Sequence, residues 1–250
     1  MRNKLTDELA VCGMNAVLAV GEHHPLTINR LFLREDRLGS FNGICKQLAE
    51  RKRPYKLVED EELERICKSV HHQGVVAMIE EPEIEPLTHE DLDLWEAEKK
   101  TGVLLHSVGN DHNLGAIARA AAFFDASYIV LNEKDMEARL TTSAYRIAEG
   151  GFEHLTVRKI SNSAAFLKDA AKKLVTIGTD VRARQRIGDL GGILKNRRGV
   201  VLVLGNEETG LPKEVKDQCS CLLRIPGTGN IDSLNVSQAA ALFLNAIYSI

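Results

Sequence analysis

Five consecutive aliphatic residues, Val200–Leu204, constrain the fold of this 250-residue chain more than any other feature. A strand without a polar residue on either face must be covered on both sides, which is typical of a parallel sheet between two helix layers. Further strand candidates alternate with helical segments through the second half of the chain. These strands are predicted at Gly102–Val108, Tyr128–Leu131, Leu155–Arg158, Leu174–Gly178 and Leu222–Ile225. The pattern predicts an α/β fold, in which ligands bind beyond the carboxyl ends of the strands.

Helices are predicted between these strands from their apolar spacing. They cover Ala116–Phe124, Thr142–Glu149, Ala164–Lys173, Lys213–Cys219 and Val236–Ile250. The first 80 residues show the same alternation more weakly, with strands at Ile28–Leu33, Tyr55–Val58 and Val75–Ile79 and helices at Gly43–Arg53 and from Asp60 onward. The segment Leu9–Val20 is faintly similar to the apolar part of a signal peptide. Asp7 and Glu8 precede it where positive charge is expected, so we do not expect secretion.

A dense acidic stretch separates the two halves. Nine acids and no Lys or Arg lie between Glu80 and Glu98, and Pro82 and Pro86 interrupt regular hydrogen bonding. We therefore expect a small α/β domain at 1–81, an exposed linker at 82–98 and a larger α/β domain at 99–250. Within the linker, Leu92 and Trp95 can form a short docked helix.

Composition limits the location and partners of the chain but does not decide its function. Five cysteines without a C-x-x-C pair indicate a reducing, cytoplasmic setting, and the histidines lack the spacing of a metal site. No apolar run approaches the roughly 20 residues of a membrane span. The net charge is −3, but without the nine clustered acids 32 basic residues face 26 acidic ones. Positive charge concentrates between 182 and 198, at Arg182, Arg184, Arg186, Lys195, Arg197 and Arg198. This is either a phosphate-binding patch or a solvated face.

Three segments that follow predicted strands are unusual. They cover residues 109–119, 205–212 and 226–237, and they are rich in Gly, Asn and Ser. Glycine lets a backbone approach a ligand closely, and the exposed backbone groups can then read a flat base. The chain has neither a P-loop nor an early G-x-G-x-x-G, which disfavours ordinary nucleotide and dinucleotide binding. These patterns alone indicate an α/β nucleotide-type binder.

Taken together, the three segments resemble the motifs of the SpoU/TrmH family of RNA 2′-O-ribose methyltransferases. The first contains Asn113-Leu114-Gly115-Ala116-Ile117-Ala118-Arg119, the second Leu204-Gly205-Asn206-Glu207-Glu208-Thr209-Gly210-Leu211, and the third Ile225-Pro226 followed by Ser233-Leu234-Asn235-Val236-Ser237. Near the N-terminus, the segments 13–17 and 72–75 resemble the substrate-binding module of that family. Within the family, the sequence looks most similar to a tRNA/rRNA methyltransferase branch that has no settled substrate.

The resemblance implies a C-terminal trefoil-knotted parallel-sheet (SPOUT) methyltransferase domain, a small N-terminal substrate-binding domain, S-adenosylmethionine (SAM) as cofactor, and a homodimer formed by the C-terminal domain. It also assigns candidate residues. The catalytic candidates are Arg119, Asn113, Glu207 and Asn235, and the cofactor-binding candidates are Leu204, Gly205, Ile225, Pro226, Leu234, Asn235 and Ser237. No metal and no membrane is implied. The partner is RNA, and whether it is tRNA or rRNA stays open.

Several of these residues also have simpler interpretations. Asn113 and Ser237 can be helix caps, and Leu234 and Ile225 can be core residues. Arg119 is harder to explain in this way, because it interrupts an otherwise apolar helix. An arginine keeps its proton in ordinary circumstances, so we expect Arg119 to bind a phosphate and stabilise a developing alkoxide, although a deprotonated arginine is an alternative. A non-catalytic RNA-binding protein that retains the knotted fold is the competing function, and methylation of a base is disfavoured.

Overall fold

The computed structural model describes residues 8–133, 139–195 and 199–250. These residues form two compact units. The first unit holds residues 8–83 together with 140–154, and the second unit holds the rest of the described chain. In the part that the structure describes, no helix is both long and apolar enough to cross a membrane. Arg197 and Arg198 of the basic segment lie outside the described residues.

The first unit is built on a four-stranded sheet in the order β1-β4-β2-β3. The strands are β1 (Glu8–Cys12), β2 (Ile28–Leu33), β3 (Tyr55–Leu57) and β4 (Val75–Glu80). β4 pairs antiparallel with β1 and β2, while β2 and β3 are parallel. The helices of this unit are α1 (Met14–His23), α2 (Leu38–Glu50), α3 (Asp60–Cys67) and α6 (Thr142–Ala148). Helix α6 joins this unit although it follows β7 in sequence.

The prediction for the first 25 residues was incomplete. The apolar segment that faintly resembled a signal peptide is the buried strand β1 followed by helix α1. Its hydrophobic character comes from burial on both faces of β1 and on one face of α1. Asp60 is a residue type that favours helix caps, and the sequence predicts it as the cap of the helix that follows. In the structure Asp60 is the first residue of α3, and Glu59 holds the cap position.

The second unit contains an eight-stranded sheet in the order β10-β12-β9-β11-β6-β7-β8-β5, and every pairing within the described residues is parallel. The strands are β5 (Glu85–Pro86), β6 (Thr101–Leu105), β7 (Ala126–Asn132), β8 (Thr156–Ile160), β9 (Val175–Thr179), β10 (Gln185–Arg186), β11 (Val200–Leu204) and β12 (Cys221–Arg224). The predicted parallel α/β sheet is confirmed, with β11 near its centre. The short edge strands β5 and β10 were not predicted.

Helices cover both faces of this sheet. They are α4 (His89–Ala97), α5 (Asp111–Phe123), α7 (Ser163–Ala170), α8 (Leu190–Ile193), α9 (Lys213–Lys216) and α10 (Val236–Tyr248). On one face, side chains of α4, α7 and α9 form a core with alternate residues of the central strands, such as Val201 and Val203. The intervening residues Leu202 and Leu204 are also buried, and α5 and α10 contact the sheet and each other. The wholly apolar β11 therefore has the double coverage that its sequence predicts.

The acidic stretch is more ordered than an exposed linker. Glu85 and Pro86 pair with β8, and α4 begins with a capping box between Thr88 and Asp91. Trp95 is completely buried, stacks on Tyr128 with ring centroids 4.6 Å apart, and donates its indole N–H to the Lys100 carbonyl. The prediction of a docked helix at Leu92 and Trp95 is confirmed. The prediction of an extended path was wrong for residues 89–97, because burial of Trp95 and the capping box stabilise a helix there despite the like charges.

Candidate functional site

Three loops at the carboxyl ends of β6, β11 and β12 carry the motif residues. In the first loop, Asn110 caps α5 by accepting a hydrogen bond from the Asn113 backbone N–H at 2.8 Å. The expectation that Asn113 itself caps this helix is therefore wrong. Asn113 lies within the first turn of α5, and its side chain is buried and does not cap the helix.

The Asn113 side chain joins the three loops. Its Nδ2 donates to Oε1 of Glu207, which lies in the loop after β11. Its Oδ1 accepts a hydrogen bond from Asn235 Nδ2 at 3.1 Å, and Asn235 follows β12. We call these three residues, Asn113, Glu207 and Asn235, the motif network. Each amide uses its donor and its acceptor on different partners, so the network fixes the orientation of all three side chains.

The ends of the motif network are anchored to backbone. The second carboxylate oxygen of Glu207 accepts from the Gly109 N–H at 3.4 Å. Asn235 is the cap of α10, and its Oδ1 accepts from the Ser237 N–H at 2.9 Å and the Ser237 hydroxyl at 2.6 Å. Ser237 is therefore a donor to the cap and not the cap itself. These contacts tie the start of α5, the β11 loop and the start of α10 into one structure.

Asn206 is a residue of this site that sequence reasoning missed. Its Nδ2 donates to the Ser107 carbonyl at 3.0 Å, and its Oδ1 accepts from the backbone N–H groups of Glu208 and Thr209. This closes the β11 loop and fastens it to the β6 loop. The signal was present, because Asn and Asp commonly hold such turns through their side chains, but the motif comparison treated position 206 as variable.

Gly205 is needed for the close approach of two backbone segments. A Cβ at this position would lie 2.6 Å from the Gly210 carbonyl carbon and 2.7 Å from the Leu211 nitrogen. Leu204 and Gly205 are both buried beneath this turn. The geometry gives Gly205 a structural reason for being glycine that is independent of any ligand.

The loop between β12 and α10 is the most open part of the site. Ile231 and Leu234 are 82% and 47% exposed, so Leu234 is not a core residue. Within the described residues, no backbone–backbone hydrogen bond involves residues 226–234. Ile225 is half-buried and Pro226 is exposed. In this loop, exposed apolar side chains therefore lie next to backbone N–H and C=O groups that make no hydrogen bond to other described backbone groups.

Arg119 lies on α5, six residues after Asn113, with an exposed side chain. Six residues advance a helix by about 9 Å and turn it by about 240°, so Arg119 lies on a different face from Asn113. Among the described residues, the motif network brings together Asn113, Glu207 and Asn235, and it does not extend to Arg119. The structure therefore groups Asn113, Glu207 and Asn235 by their hydrogen bonds and places the exposed Arg119 side chain on another face of α5.

A parallel α/β sheet with its polar site in the loops after β6, β11 and β12 defines a ligand-binding protein of the doubly wound type. A family model described as the SpoU rRNA Methylase family matches residues 100–245, and one described as RNA 2′-O ribose methyltransferase substrate binding matches residues 10–85. The chain therefore belongs to the SpoU rRNA methylase family.

Relatives and solved structures agree with this assignment. The chain is 30% identical over 241 residues to 23S rRNA (guanosine-2′-O-)-methyltransferase RlmB of Bordetella pertussis, covering 94% of each protein. It is 28% identical over 249 residues to the uncharacterized tRNA/rRNA methyltransferase YfiF of Escherichia coli O157:H7, covering 98% of this chain and 69% of the relative. The AdoMet-bound rRNA methyltransferase from Sinorhizobium meliloti has the same fold, with a TM-score of 0.77, 24% identity, and coverage of 97% of this chain and 87% of the other.

Proposed function

We propose that this chain transfers the methyl group of SAM to a ribose 2′-OH of RNA. Family membership supports the reaction class. The observation that carries the proposal within the structure is the motif network, since Asn113, Glu207 and Asn235 come from the three separate motifs and converge at the carboxyl ends of parallel strands.

The residues after β12 fit SAM. An adenine ring needs apolar contact on its faces and hydrogen-bonding groups at its edge, and the loop 226–234 offers both. The residues that hold the cofactor in this proposal are Leu204, Gly205, Ile225, Pro226, Leu234, Asn235 and Ser237. SAM supplies an electrophilic methyl group when bound. Leu234 contributes apolar contact, while Asn235 and Ser237 hold the start of α10 in place.

Arg119 acts on the RNA in this proposal. Its guanidinium stays protonated and presents several N–H donors in a fixed plane, which suits a phosphate oxygen next to the reacting ribose. The same charge stabilises the alkoxide that develops as the 2′-OH loses its proton to a phosphate oxygen or water. Asn113, Glu207 and Asn235 act as positioning residues, because they hold the loops on which the other groups lie.

The RNA partner is supported by exposed positive charge as well as by the family. Arg182, Arg184 and Arg186 are all exposed around β10. Such a group contributes a salt-dependent, sequence-independent attraction to phosphates. The substrate-binding family model matches residues 10–85, of which residues 10–83 lie in the first unit, and we assign recognition of structured tRNA or rRNA to this unit.

The proposal also includes a homodimer, a knot and a cytoplasmic location. Phe123 of α5 is 79% exposed and Tyr248 of α10 is 62% exposed, and Leu242 adds to the same two helices. Phe124 contacts both Phe123 and Tyr248, so these side chains form one apolar patch, and a second copy is a natural cover for it. The trefoil knot is supported by family membership. The free cysteines of the chain suit a reducing cytoplasm.

The experiment is transfer of isotope-labelled methyl from SAM to RNA isolated from cells that lack the gene. Digestion of this RNA to nucleosides is expected to release label as a 2′-O-methyl nucleoside. Label on a base would contradict the proposed position, and the absence of label in any RNA would contradict the proposed enzyme.

A further inference from the structure

The first unit contains a cavity of about 370 Å³ that the methyl-transfer site does not use. Its size is within the range of small-molecule sites. Gly13, Asn15, His71, Gln73, Arg146 and Glu149 are among the residues that line it. Asn15, His71 and Gln73 are exposed, so the cavity opens to solvent.

Two N-terminal sequence motifs meet at this cavity. β1 ends at Cys12, and Gly13 turns the chain into α1 with a φ of 98°, which favours glycine. The Met14 N–H then donates to Gln73 Oε1 at 2.8 Å. Gln73 belongs to the second motif, immediately before β4. The resemblance noted for residues 13–17 and 72–75 thus corresponds to one place in the structure.

Helix α6 completes the cavity with two opposite charges. Glu149 ends this helix in a left-handed conformation, and its Oε2 accepts a hydrogen bond from Asn15 Nδ2 at 3.1 Å. Arg146, one turn earlier, is half-buried. Within the described residues, no hydrogen bond or ion pair engages the Arg146 guanidinium. The pKa of the nearby Cys12 thiol is raised, chiefly by its hydrogen bond to Cys67 and by burial, and the positive charge of Arg146 opposes that shift.

This charge pattern distinguishes between ligands. A lone phosphate would be attracted by Arg146 but repelled by the Glu149 carboxylate. A neutral base that has hydrogen-bond acceptors next to hydrogen-bond donors can accept from Arg146 and donate to Glu149. Guanine fits best, because its O6 and N7 accept from an arginine in a bidentate pair and its N1–H and N2 amino group donate to a carboxylate. Among the lining residues, His71 has an aromatic ring on which an unpaired base can stack, and Val70 adds apolar contact.

We propose that this cavity binds an unpaired guanine of the RNA substrate, with Arg146 donating to its O6/N7 edge and Glu149 accepting from its N1–H and N2 groups. The proposal rests on the proposed function only in taking RNA as the source of the base. The cavity would set which RNA is recognised, while Arg119 acts on the ribose.

The test uses the full-length protein with its cofactor site filled by S-adenosylhomocysteine. GMP, AMP, CMP and UMP are titrated separately, and backbone amide signals are followed by NMR. With GMP we expect saturable shifts at Gly13, Ala16 and Gly74, and we expect CMP and UMP to bind at least about tenfold more weakly. No shift with any nucleotide at about 10 mM, or equal affinity for all four, would overturn the guanine site.

Variants assign the contacts. Glu149→Gln and Arg146→Ala should each weaken GMP binding by about tenfold, whereas Glu61→Gln and Arg65→Ala on exposed positions of α3 should leave it unchanged. Arg146→Lys provides a second variant in case the alanine variant does not fold. Unchanged GMP affinity in folded Glu149→Gln and Arg146→Lys proteins would contradict the assignment.

The two proposals fail in different ways. If the wild-type chain methylates no RNA but still binds GMP in this cavity, the proposed function fails and the cavity survives as a nucleotide site. If methyl transfer is intact and these variants have the same KM for RNA, the cavity plays no part in recognition.

Discussion

At the scale of single residues, the structure reassigns roles that the sequence left open. The motif comparison identified Asn113, Glu207 and Asn235 as important, and nothing in their spacing indicated that they hydrogen-bond to one another. Glu207 and Asn235 lie 94 and 122 residues from Asn113 in sequence. Contacts of that range depend on strand order, which local sequence patterns do not specify. Caps, by contrast, are local, and the sequence misplaced three of them, at Asp60, Asn113 and Ser237, by only one to three residues.

The first prediction concerns Asn113. Asn113→Ala leaves the Glu207 carboxylate and the Asn235 amide without their shared partner, at a cost of about 1–3 kcal/mol. We expect a lower midpoint of unfolding in urea and weaker SAM binding by calorimetry. Asn42→Ala, at an exposed position of α2, is the matched control and should change neither quantity. An unchanged unfolding midpoint for Asn113→Ala would show that the motif network does not stabilise the site.

The second prediction concerns pH. Burial raises the pKa of Glu153 from 4.5 to about 7. Between these two values Glu153 is protonated in the folded protein and ionised in the unfolded chain. The resulting contribution to stability is therefore fully present below pH 4.5 and is lost as the pH rises through about 7. The total is on the order of 3 kcal/mol. Glu153→Gln should flatten the fall in melting temperature between pH 5 and 8.

The exposed Glu61→Gln should leave that slope unchanged. His24 lies 3.3 Å from the Glu153 carboxylate, so the comparison is repeated in a His24→Asn background. A wild-type slope in Glu153→Gln would mean that Glu153 is ionised in the folded protein at neutral pH.

At the scale of elements, strands with strong composition were predictable and weak or context-dependent ones were not. β2 and β11 were predicted with their observed limits, and in β11 the signal is an unbroken aliphatic run bounded by Gly199 and Gly205. The two-residue strands β5 and β10 carry no such signal and exist only because a neighbouring strand offers a partner. Asp125, just after α5, has a left-handed conformation with a φ of 54°, which Asp tolerates better than most residues.

The third prediction tests the β11 loop as an element. In Gly205→Ala the new methyl group meets backbone atoms of Gly210 and Leu211 that cannot move without opening the turn. We expect a loss of about 1–3 kcal/mol in stability, typical of overpacking, together with weaker SAM binding. The measurements are thermal unfolding and calorimetric titration.

Gly191→Ala in α8 is the matched control, since a Cβ there meets nothing within 4 Å. It should be neutral or slightly stabilising. Equal melting temperatures for the two glycine variants would contradict the close approach at Gly205.

At the scale of the whole molecule, the α/β class and the family were predictable, while the assembly of the sheet was not. The order β12-β9-β11-β6 places strands side by side that are far apart in sequence. Hydrophobic periodicity also does not indicate that α6 belongs to the first unit. A knot is equally invisible to periodicity, because it depends on the path of the chain between elements and not on the elements themselves. The strand order and the place of α6 required three-dimensional structure, and the proposed knot rests on family membership.

The fourth prediction concerns the homodimer. Phe123→Lys places a charge on the exposed apolar face of α5 and should convert the proposed dimer of the full-length chain to a monomer in sedimentation equilibrium. Leu26→Lys changes a side chain that is 72% exposed in the first unit, and it should leave the dimer intact. A dimer that persists in Phe123→Lys would move the interface away from this face.

The fifth prediction tests the central claim, that Arg119 stabilises methyl transfer to RNA and does not bind the cofactor. Methyl transfer to RNA from cells lacking the gene is measured beside calorimetric SAM binding for wild type, Arg119→Ala, Arg119→Lys and, as control, Arg65→Ala. We expect Arg119→Ala to lower the rate at least about 100-fold with SAM affinity nearly unchanged, and Arg119→Lys to recover little of it. Near-normal transfer by Arg119→Ala, or a loss of activity that follows entirely from a loss of SAM binding, would contradict the account.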